Sequence, residues 1–302
     1  MISYIGGKAR IGKWIVPFIP KDIETYVEPF SGMFWVFFNM DLERYPNLTK
    51  VVYNDYNKLN ANLFRCIKED KNELIRLLKE FDGKDGEYGE EINKIQHRNS
   101  TLTPAPDRCR LFFDECQKEV FDPNFEVGDK PNFDAASKYV VVLTQVFSGS
   151  KPETATFTNY MGKYRSKVFI LIDKLENPKY IEHIDRITFI ENMDFEEVIK
   201  KYDSKKTYFY IDPPYWKTEN YYSNHDFDVN DHKRLSEVLH QLKGEFSLSY
   251  YVFNQLEEWF PRDIYHWEQK NFKKAAAAKK DGTQNEGTEL LIMNYLTKFL
   301  TR

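Results

Sequence analysis

The stretch Tyr208-Phe209-Tyr210-Ile211-Asp212-Pro213-Pro214-Tyr215 decides how this chain folds. Its first half is short, apolar and aromatic-rich, the pattern of a buried strand. Its second half ends that strand in a stiff turn, because proline fixes φ and has no N–H to donate. Open α/β sheets hold their ligands in a crevice at the carboxyl ends of the strands, where Asp212 to Tyr215 fall. These residue types suit methyl transfer to an exocyclic amine. The lone pair of an adenine-type amino nitrogen is drawn into the ring, which makes it a poor nucleophile. The Asp212 carboxylate and the Pro213 carbonyl can each accept one of its N–H bonds. This favours the tetrahedral amine and aims its lone pair at a sulfonium methyl. Pro213 and Pro214 bring no competing amide donors, and the Tyr215 ring offers a surface for a base turned out of its stack. Asp and Pro also build ordinary turns, so the tetrapeptide alone leaves that reading open.

The flanking sequence alternates. Residues 23–28 read as a strand, Pro29-Phe30-Ser31-Gly32 as a turn and 35–42 as a helix. Residues 50–54 read as a second strand, followed by helices over 57–68 and 72–81. Further strands are expected at 186–191, 207–212, 245–250, 264–271 and 288–295, with a helix at 231–243. Strands alternating with helices at both ends predict a doubly wound α/β sheet. The middle, roughly 60–165, breaks the alternation. There Gly83, Gly86 and Gly89 punctuate an acidic loop, 106–118 and 137–147 read as helices, and 148–165 as a polar loop. A short helix is expected at 167–175, and the alanine run 275–278 reads as a mobile or helical loop between the last two strands.

A chain of 302 residues can bury a core without staples. A hydrophobic fraction of 41% with 16% aromatics excludes a disordered chain. No apolar stretch reaches membrane-spanning length, and no signal-peptide-like segment opens the sequence. Cys66, Cys109 and Cys116 have no metal-ligand spacing and cannot all pair, so they read as core thiols of a reducing compartment. The formal net charge of −4 gives no global basic footprint for nucleic acid. Basic residues instead cluster locally, at Lys8, Arg10 and Lys13, at Lys163, Arg165 and Lys167, and from Lys270 to Lys280. These clusters lie beside the motifs, and both phosphate contact and a solvated face remain open for them.

A strand, a glycine turn, a helix and then an acid ending the next strand form a nucleoside-binding plan. Gly32 and Asp55 occupy those places, with Asp55 at about the 20-residue offset of a ribose-binding acid. Gly32-Met33-Phe34 lacks the further glycines of a dinucleotide site, which disfavours a pyrophosphate ligand. That leaves room for a nucleoside with a short tail, such as S-adenosylmethionine. A strand-end Asp that caps the next helix would look the same. Near the N-terminus, Tyr4-Ile5-Gly6-Gly7-Lys8 adds paired glycines, which let backbone approach a ligand, and a lysine that could meet a carboxylate.

Together these residues resemble the Dam-type DNA adenine-N6 methyltransferases. The likeness lies in their order: Tyr4 to Lys8, then Tyr26-Val27-Glu28-Pro29-Phe30-Ser31-Gly32, then Asn54-Asp55, Asp194-Phe195 and Ile211 to Tyr215. It continues through Phe227, Asp231-His232-Lys233-Arg234-Leu235, Gly244-Glu245-Phe246 with Ser247-Leu248-Ser249, and Glu289-Leu290-Leu291-Ile292-Met293-Asn294-Tyr295. It covers nearly the whole chain outside 70–135. Two departures stand out. Phe34 replaces the family's second glycine, and Phe147-Ser148-Gly149-Ser150-Lys151 replaces its Asn-Gly-Leu-Tyr-Arg-like segment.

The resemblance implies a mostly parallel, seven-stranded, Rossmann-like methyltransferase sheet. Residues 1–60 and 166–302 would form the catalytic domain, and 61–165 an inserted, largely helical target-recognition domain. It implies site-specific transfer of a methyl group from S-adenosylmethionine, released as S-adenosylhomocysteine, to N6 of an adenine flipped out of double-stranded DNA. It further implies no metal, no membrane, and the cytoplasm of a prokaryote or a phage host, as in restriction–modification. By the same resemblance Tyr4, Gly6, Gly7 and Lys8 contact the cofactor and Asp55 its ribose. Glu28 and the turn Phe30, Ser31 and Gly32 meet its methionine end, and Asp194 and Phe195 lie near its adenine. Asp212, Pro213, Pro214 and Tyr215 hold the target base, with Asp212 also beside the cofactor. The segment ending the insertion is expected to read DNA, with Arg165 on a base edge or phosphate, Lys163 and Lys167 on phosphate, and Tyr164 among them. The same chemistry on RNA or on a protein amide stays open, as does a binding module with a degenerate fold. A protein-glutamine enzyme would more usually carry Asn at position 212, and intact Asp55 and Asp212 argue against degeneracy.

Overall fold

Seven strands hydrogen-bond into one sheet in a computed structural model of the chain: β1 (Thr25–Glu28), β2 (Lys50–Asn54), β3 (Phe189–Glu191), β4 (Thr207–Ile211), β5 (Glu245–Tyr250), β6 (His266–Ala278) and β7 (Gln284–Met293). The structure describes residues 7–9, 11–96, 107–146, 151–157, 168–215, 227–278 and 284–296, and only the backbone over 81–96, 107–110, 273–278 and 284–286. The strand order is β3-β2-β1-β4-β5-β7-β6. The first five of these run parallel, and β7 is antiparallel to both β5 and β6. From β1 the chain moves to β2 on one side and later returns at β4 on the other. The switch point where a doubly wound sheet binds its ligand therefore lies at the carboxyl ends of β1 and β4.

The helices are α1 (Gly12–Ile15), α2 (Trp35–Asn39), α3 (Lys58–Gln96), α4 (Asp107–Val120), α5 (Phe133–Gln145), α6 (Phe169–Leu175), α7 (Pro178–Arg186), α8 (Phe195–Tyr202), α9 (Val229–His240) and α10 (Leu256–Trp259). Every residue of β1 and β4 is buried, as expected when both faces of a parallel sheet are covered. Alternate residues divide the core in two. Val27, Val52, Phe209, Ile211, Phe246 and Leu248 cluster with Phe195, Val198 and Ile199 of α8 and with Leu235 and Leu239 of α9. Tyr26 and Tyr53 instead meet Phe34 and the first turn of α2, with Tyr26 to Phe37 at 5.7 Å and Tyr53 to Phe34 at 5.3 Å between ring centres. This is the doubly wound, mostly parallel sheet that the alternation predicts.

Local chemistry fixes the ends of these helices. Asp194 accepts the Glu196 N–H at 2.9 Å to start α8. Asp228 and Asp231 form a reciprocal capping box for α9. Gly244 is needed at the start of β5, because a Cβ there would lie 2.5 Å from the Thr207 carbonyl oxygen. The chain divides into two compact units, Gly6–Asn57 with Arg186–Arg302, and Met1–Ile5 with Lys58–Asp185. The first carries the sheet. In the second, α3 packs on α5 and α6, and α4 on α5. Asn62 and Asn132 exchange two hydrogen bonds of 2.8 Å, and Tyr139 donates to Asn60 at 2.9 Å.

Two expectations are corrected. The glycines at 83, 86 and 89 do not open a loop. The backbone leaves helical geometry at Asp70 (φ −152°), restarts with Asp70 accepting the Asn72 and Glu73 N–H groups, and stays helical to Gln96. A glycine costs a helix about 1 kcal/mol relative to alanine, which neighbouring Glu and Lys can absorb. The alanine run 275–278 is neither helix nor loop. It continues β6, and Ala278 pairs with Gln284, so strand pairing overrides alanine's helical preference. The short helices α7 and α8 were absent from the sequence reading.

Phe34 resolves the departure at the family's second glycine. It is the one non-glycine residue with positive φ among the described residues (φ 56°, ψ 34°), so the turn keeps a left-handed geometry without glycine. Its ring is fully buried among Tyr26, Phe37, Phe38 and Tyr53. Left-handed backbone costs a non-glycine residue about 1–2 kcal/mol. Truncating a buried phenylalanine costs about 3–5 kcal/mol. Phe34→Gly is therefore expected to lower the unfolding free energy by about 1–4 kcal/mol in chemical denaturation. A more stable variant would show that strain, not packing, dominates at this position.

Candidate active site

The site is built where β1, β2, β3 and β4 end. Asn54, the last residue of β2 and fully buried, ties three of those ends together. Its amide donates to the Pro29 carbonyl at 2.8 Å and the Met193 carbonyl at 3.2 Å, and accepts from the Met193 N–H at 3.0 Å. Its backbone exchanges two further bonds with Ser31, at 2.9 and 3.1 Å. Asn192 closes the same corner by donating to the carbonyls of Asp55 and Tyr56.

The turn after β1 is held from below. Glu28 is buried and accepts the Tyr26 hydroxyl at 2.6 Å and the Phe37 N–H at 3.1 Å. Burial pushes its carboxyl well above the usual carboxylate range, against the pull of those two donors. Gly32, at φ 49°, donates its N–H to Asp55 Oδ2 at 2.8 Å, and Asp55 Oδ1 accepts the Asn57 N–H at 2.8 Å. Asp55 thus braces the glycine turn. A carboxylate has about four lone-pair sites, so these two bonds leave room for ribose hydroxyls.

A wall of aromatic rings follows. Phe30 stacks on Phe195 at 5.5 Å and meets Phe227 edge-on at 5.8 Å. The Arg234 guanidinium lies 4.2 Å from the centre of the Phe195 ring. It grips both oxygens of Asp194, at 2.8 and 2.9 Å, and reaches Glu196 and Asp231. The fork therefore fixes both the acid and the ring expected beside the cofactor's adenine.

After β4, Asp212 faces Lys8. Lys8 Nζ lies 3.1 Å from Asp212 Oδ1 and 2.9 Å from Glu289 Oε1 on β7. It also donates to the Tyr215 hydroxyl, which in turn donates to Glu289. The ammonium sits 4.5 Å from the centre of the Tyr215 ring, which packs edge-on against Tyr251 at 4.3 Å. Burial works against the Lys8 ammonium, but Asp212 and Glu289 outweigh it and hold the group charged. Burial pushes Asp212 up to about 6, with Lys8 pulling down and Glu289 pushing up. Burial, then Asp212 and Glu289, keep Tyr215 a neutral phenol.

Of the residues picked out in the sequence, Lys8, Glu28, Phe30, Ser31, Gly32, Asp55, Asp194, Phe195 and Asp212 to Tyr215 all belong to the sheet-bearing unit, as does Gly7. Tyr4 and Gly6, and the expected DNA-reading residues Lys163, Tyr164, Arg165 and Lys167, lie outside the described residues. Three residues that shape the site were not singled out: Asn54, Arg234 and Glu289. Each stood inside a quoted motif, but only its neighbours had an evident chemical task.

A nucleoside bearing a sulfonium and a short tail fits these residues. The aromatic wall suits its base, Asp55 suits its ribose, and Asp212 and Glu289 outnumber the single Lys8, which suits a cation. The comparisons with known proteins agree. Residues 4–275 match the model of the D12 class N6 adenine-specific DNA methyltransferases. The chain belongs to this family, and is therefore an enzyme that methylates adenine in DNA. It is 22% identical to the type II methyltransferase M.CviBI of Paramecium bursaria Chlorella virus NC1A, over 98% of this chain and 99% of that one. It is 23% identical to the type II methyltransferase M1.LlaDCHI of Lactococcus lactis subsp. cremoris, over 97% and 94%. Its match to the modification methylase StsI of Streptococcus sanguinis, also 23%, covers 98% of this chain but 43% of the other.

Asn54→Ala should leave the buried Pro29 carbonyl and the half-buried Met193 N–H and carbonyl without this partner. At about 1–3 kcal/mol for each such group, partly recovered by water, the expected loss of stability is about 2–4 kcal/mol. S-adenosylmethionine binding should weaken in the same variant, because the turns that face the cofactor lose their common tie. Calorimetry on folded protein checks both; unchanged affinity would show that the corner does not shape the cofactor site.

Proposed function

We propose that the crevice at the ends of β1 and β4 methylates N6 of an adenine turned out of double-stranded DNA, with Asp212 and the Pro213 carbonyl accepting the amine's two N–H bonds. The observation that carries this reading is the pinned Asp212: Lys8 holds Oδ1 at 3.1 Å, and Asp212 keeps 17% of its side chain exposed beside the switch point. Bound S-adenosylmethionine supplies an electrophilic methyl group. Phe30, Phe195 and Asp194 would hold its adenine, Asp55 its ribose, and Glu28 with the Ser31–Gly32 turn its amino-acid end. The protein's part is to orient the weak amine, since alignment of reacting groups lowers the barrier most when the nucleophile is poor. Once the nitrogen gains the methyl it carries one proton too many. Asp212, raised to about 6, is the base suited to take it. Tyr215 and its aromatic neighbours offer the face against which the base packs.

The unit formed by Lys58–Asp185 is assigned to target recognition, including the basic segment at Lys163 to Lys167. The full-length relatives are type II methyltransferases by name, and we extend to this chain a role as the modifying partner of a restriction system. No helix among the described residues is long and apolar enough to cross a membrane, and a cytoplasmic setting, in a bacterium or a virus host, is proposed with it.

The test is methyl incorporation from labelled S-adenosylmethionine into DNA, RNA and protein, followed by mapping of the modified base. N6-methyladenine in duplex DNA at one short sequence is expected, and label confined to RNA or protein would overturn the reading. Asp212→Ala, folded and still binding cofactor, should lose at least about 100-fold in kcat. The parent's kcat should fall as the pH drops through about 6, because protonated Asp212 is a weaker acceptor and can no longer take the amine's proton. A pH-independent rate from pH 5 to 8 would remove Asp212 from the chemical step.

A further inference from the structure

Glu289 is the most buried acid in the site, with no exposed surface, on a strand whose next four residues are apolar. Its Oε1 is shared by Lys8 and Tyr215, while Oε2 is buried and meets no hydrogen-bond partner among the described residues. A half-satisfied buried carboxylate is a poor stabiliser of a sheet, where an apolar residue of similar size would do better. Buried charge of this kind gathers where it tunes a working group. An ammonium has three N–H bonds to give. Here Asp212, Glu289 and the Tyr215 hydroxyl are the three acceptors, all within the site. Without Glu289, Lys8 would turn wholly on Asp212, neutralise it and draw in its second oxygen.

We propose that Glu289 is a positioning residue: it takes a share of the Lys8 ammonium and pins the Tyr215 hydroxyl, so that Asp212 keeps its charge and one oxygen for the target amine. This rests on the reading of Asp212 as the amine's acceptor. A second consequence is electrostatic. Two carboxyl groups, Asp212 and Glu289, face the single ammonium of Lys8, so the pocket holds more acid than base. It therefore favours the positive charge that moves onto the nitrogen with the methyl group, until Asp212 accepts the proton. The charged and titratable groups around Asp212 are Lys8, Glu28 on β1, Tyr210 on β4, Tyr215, Tyr251 beyond β5 and Glu289 on β7. Among the acids, Glu289 pushes the Asp212 carboxyl upward, and Asp212 in turn pushes up that of Glu28.

The experiment is the kcat–pH profile of Glu289→Gln, with cofactor affinity measured alongside. Glutamine keeps the shape and removes the charge. The variant should lose roughly 10- to 100-fold in kcat, the range expected when a reacting group is misplaced. Its cofactor dissociation constant should stay within about twofold. Its acidic limb should move to lower pH, because the neighbour that raises Asp212 is gone. A parental kcat with an unmoved limb would overturn the proposal. So would a loss of kcat with the limb unmoved, which is what a purely structural defect gives. Glu289→Asp is the second variant, and decides the matter if Glu289→Gln does not fold. It draws the carboxyl back from Lys8 and Tyr215, so Lys8 turns onto Asp212: kcat should fall and the limb should again move to lower pH, by less than in Glu289→Gln; a loss of kcat with the limb unmoved would contradict the proposal. Failure of this inference is distinguishable from failure of the functional reading. If Asp212→Ala stays active the reading itself falls, whereas an inactive Asp212→Ala with an unaffected Glu289→Gln removes Glu289 alone.

Discussion

One buried ammonium organises this site. Lys8 is held by carboxyl groups from two different strands, Asp212 just after β4 and Glu289 within β7. A lysine buried to this degree is tolerable only while it is paired, and a carboxylate left there without it would be costly. The three side chains therefore require one another. They also impose a chemical state. Asp212 is lifted by burial to about 6 but kept within reach of ionisation by Lys8, unlike a plain surface acid. Tyr215 joins the set through its hydroxyl as well as its ring. A role as a flat stacking surface alone would leave that hydroxyl unexplained.

The rest of the fold brings this triad to the carboxyl ends of the parallel strands. The switch in strand order between β1 and β4 makes a crevice with the Asp-Pro-Pro-Tyr turn on one lip and the Pro-Phe-Ser-Gly turn on the other. Asn54 ties the turns after β1 and β3 to the end of β2. Arg234, reaching from α9 to the cap of α8, does the same for Asp194 and Phe195. Neither residue needs to touch a ligand to matter. Each fixes the rotamer or backbone of a residue suited to do so.

Much of this was legible in the sequence. The buried strand before Asp212 and the strand–turn–helix around Gly32 have periods and punctuation that local physics sets, and their positions hold in the structure. The site's supports were harder to read because their partners are distant in the chain. Glu289 is one acid in an apolar strand, and only the antiparallel pairing of β7 beside β5 delivers it to Lys8. Arg234 looks like any surface residue of an amphipathic helix until α8 and α9 pack. The capping signals of α8 are Asp194 with acids in the first turn and lysines in the last, overlapping the Asp194-Phe195 motif. The glycines of α3 and the alanines of β6 misled in opposite directions, because propensity is a weak guide where neighbouring residues or strand pairing decide. Phe34 shows that a position whose backbone calls for glycine can be held by a ring when enough aromatic surface surrounds it.

The central claim is that Lys8 governs the ionisation of Asp212. Carbon-13 NMR of carboxyl-labelled protein, with Asp212 assigned by substitution, reads that ionisation directly in the parent and in folded Lys8→Met. The parent carboxyl should titrate near 6, and the variant's should titrate at higher pH, because burial and Glu289 then act on Asp212 without the opposing ammonium. An Asp212 that titrates at the same pH or lower in Lys8→Met would contradict the account.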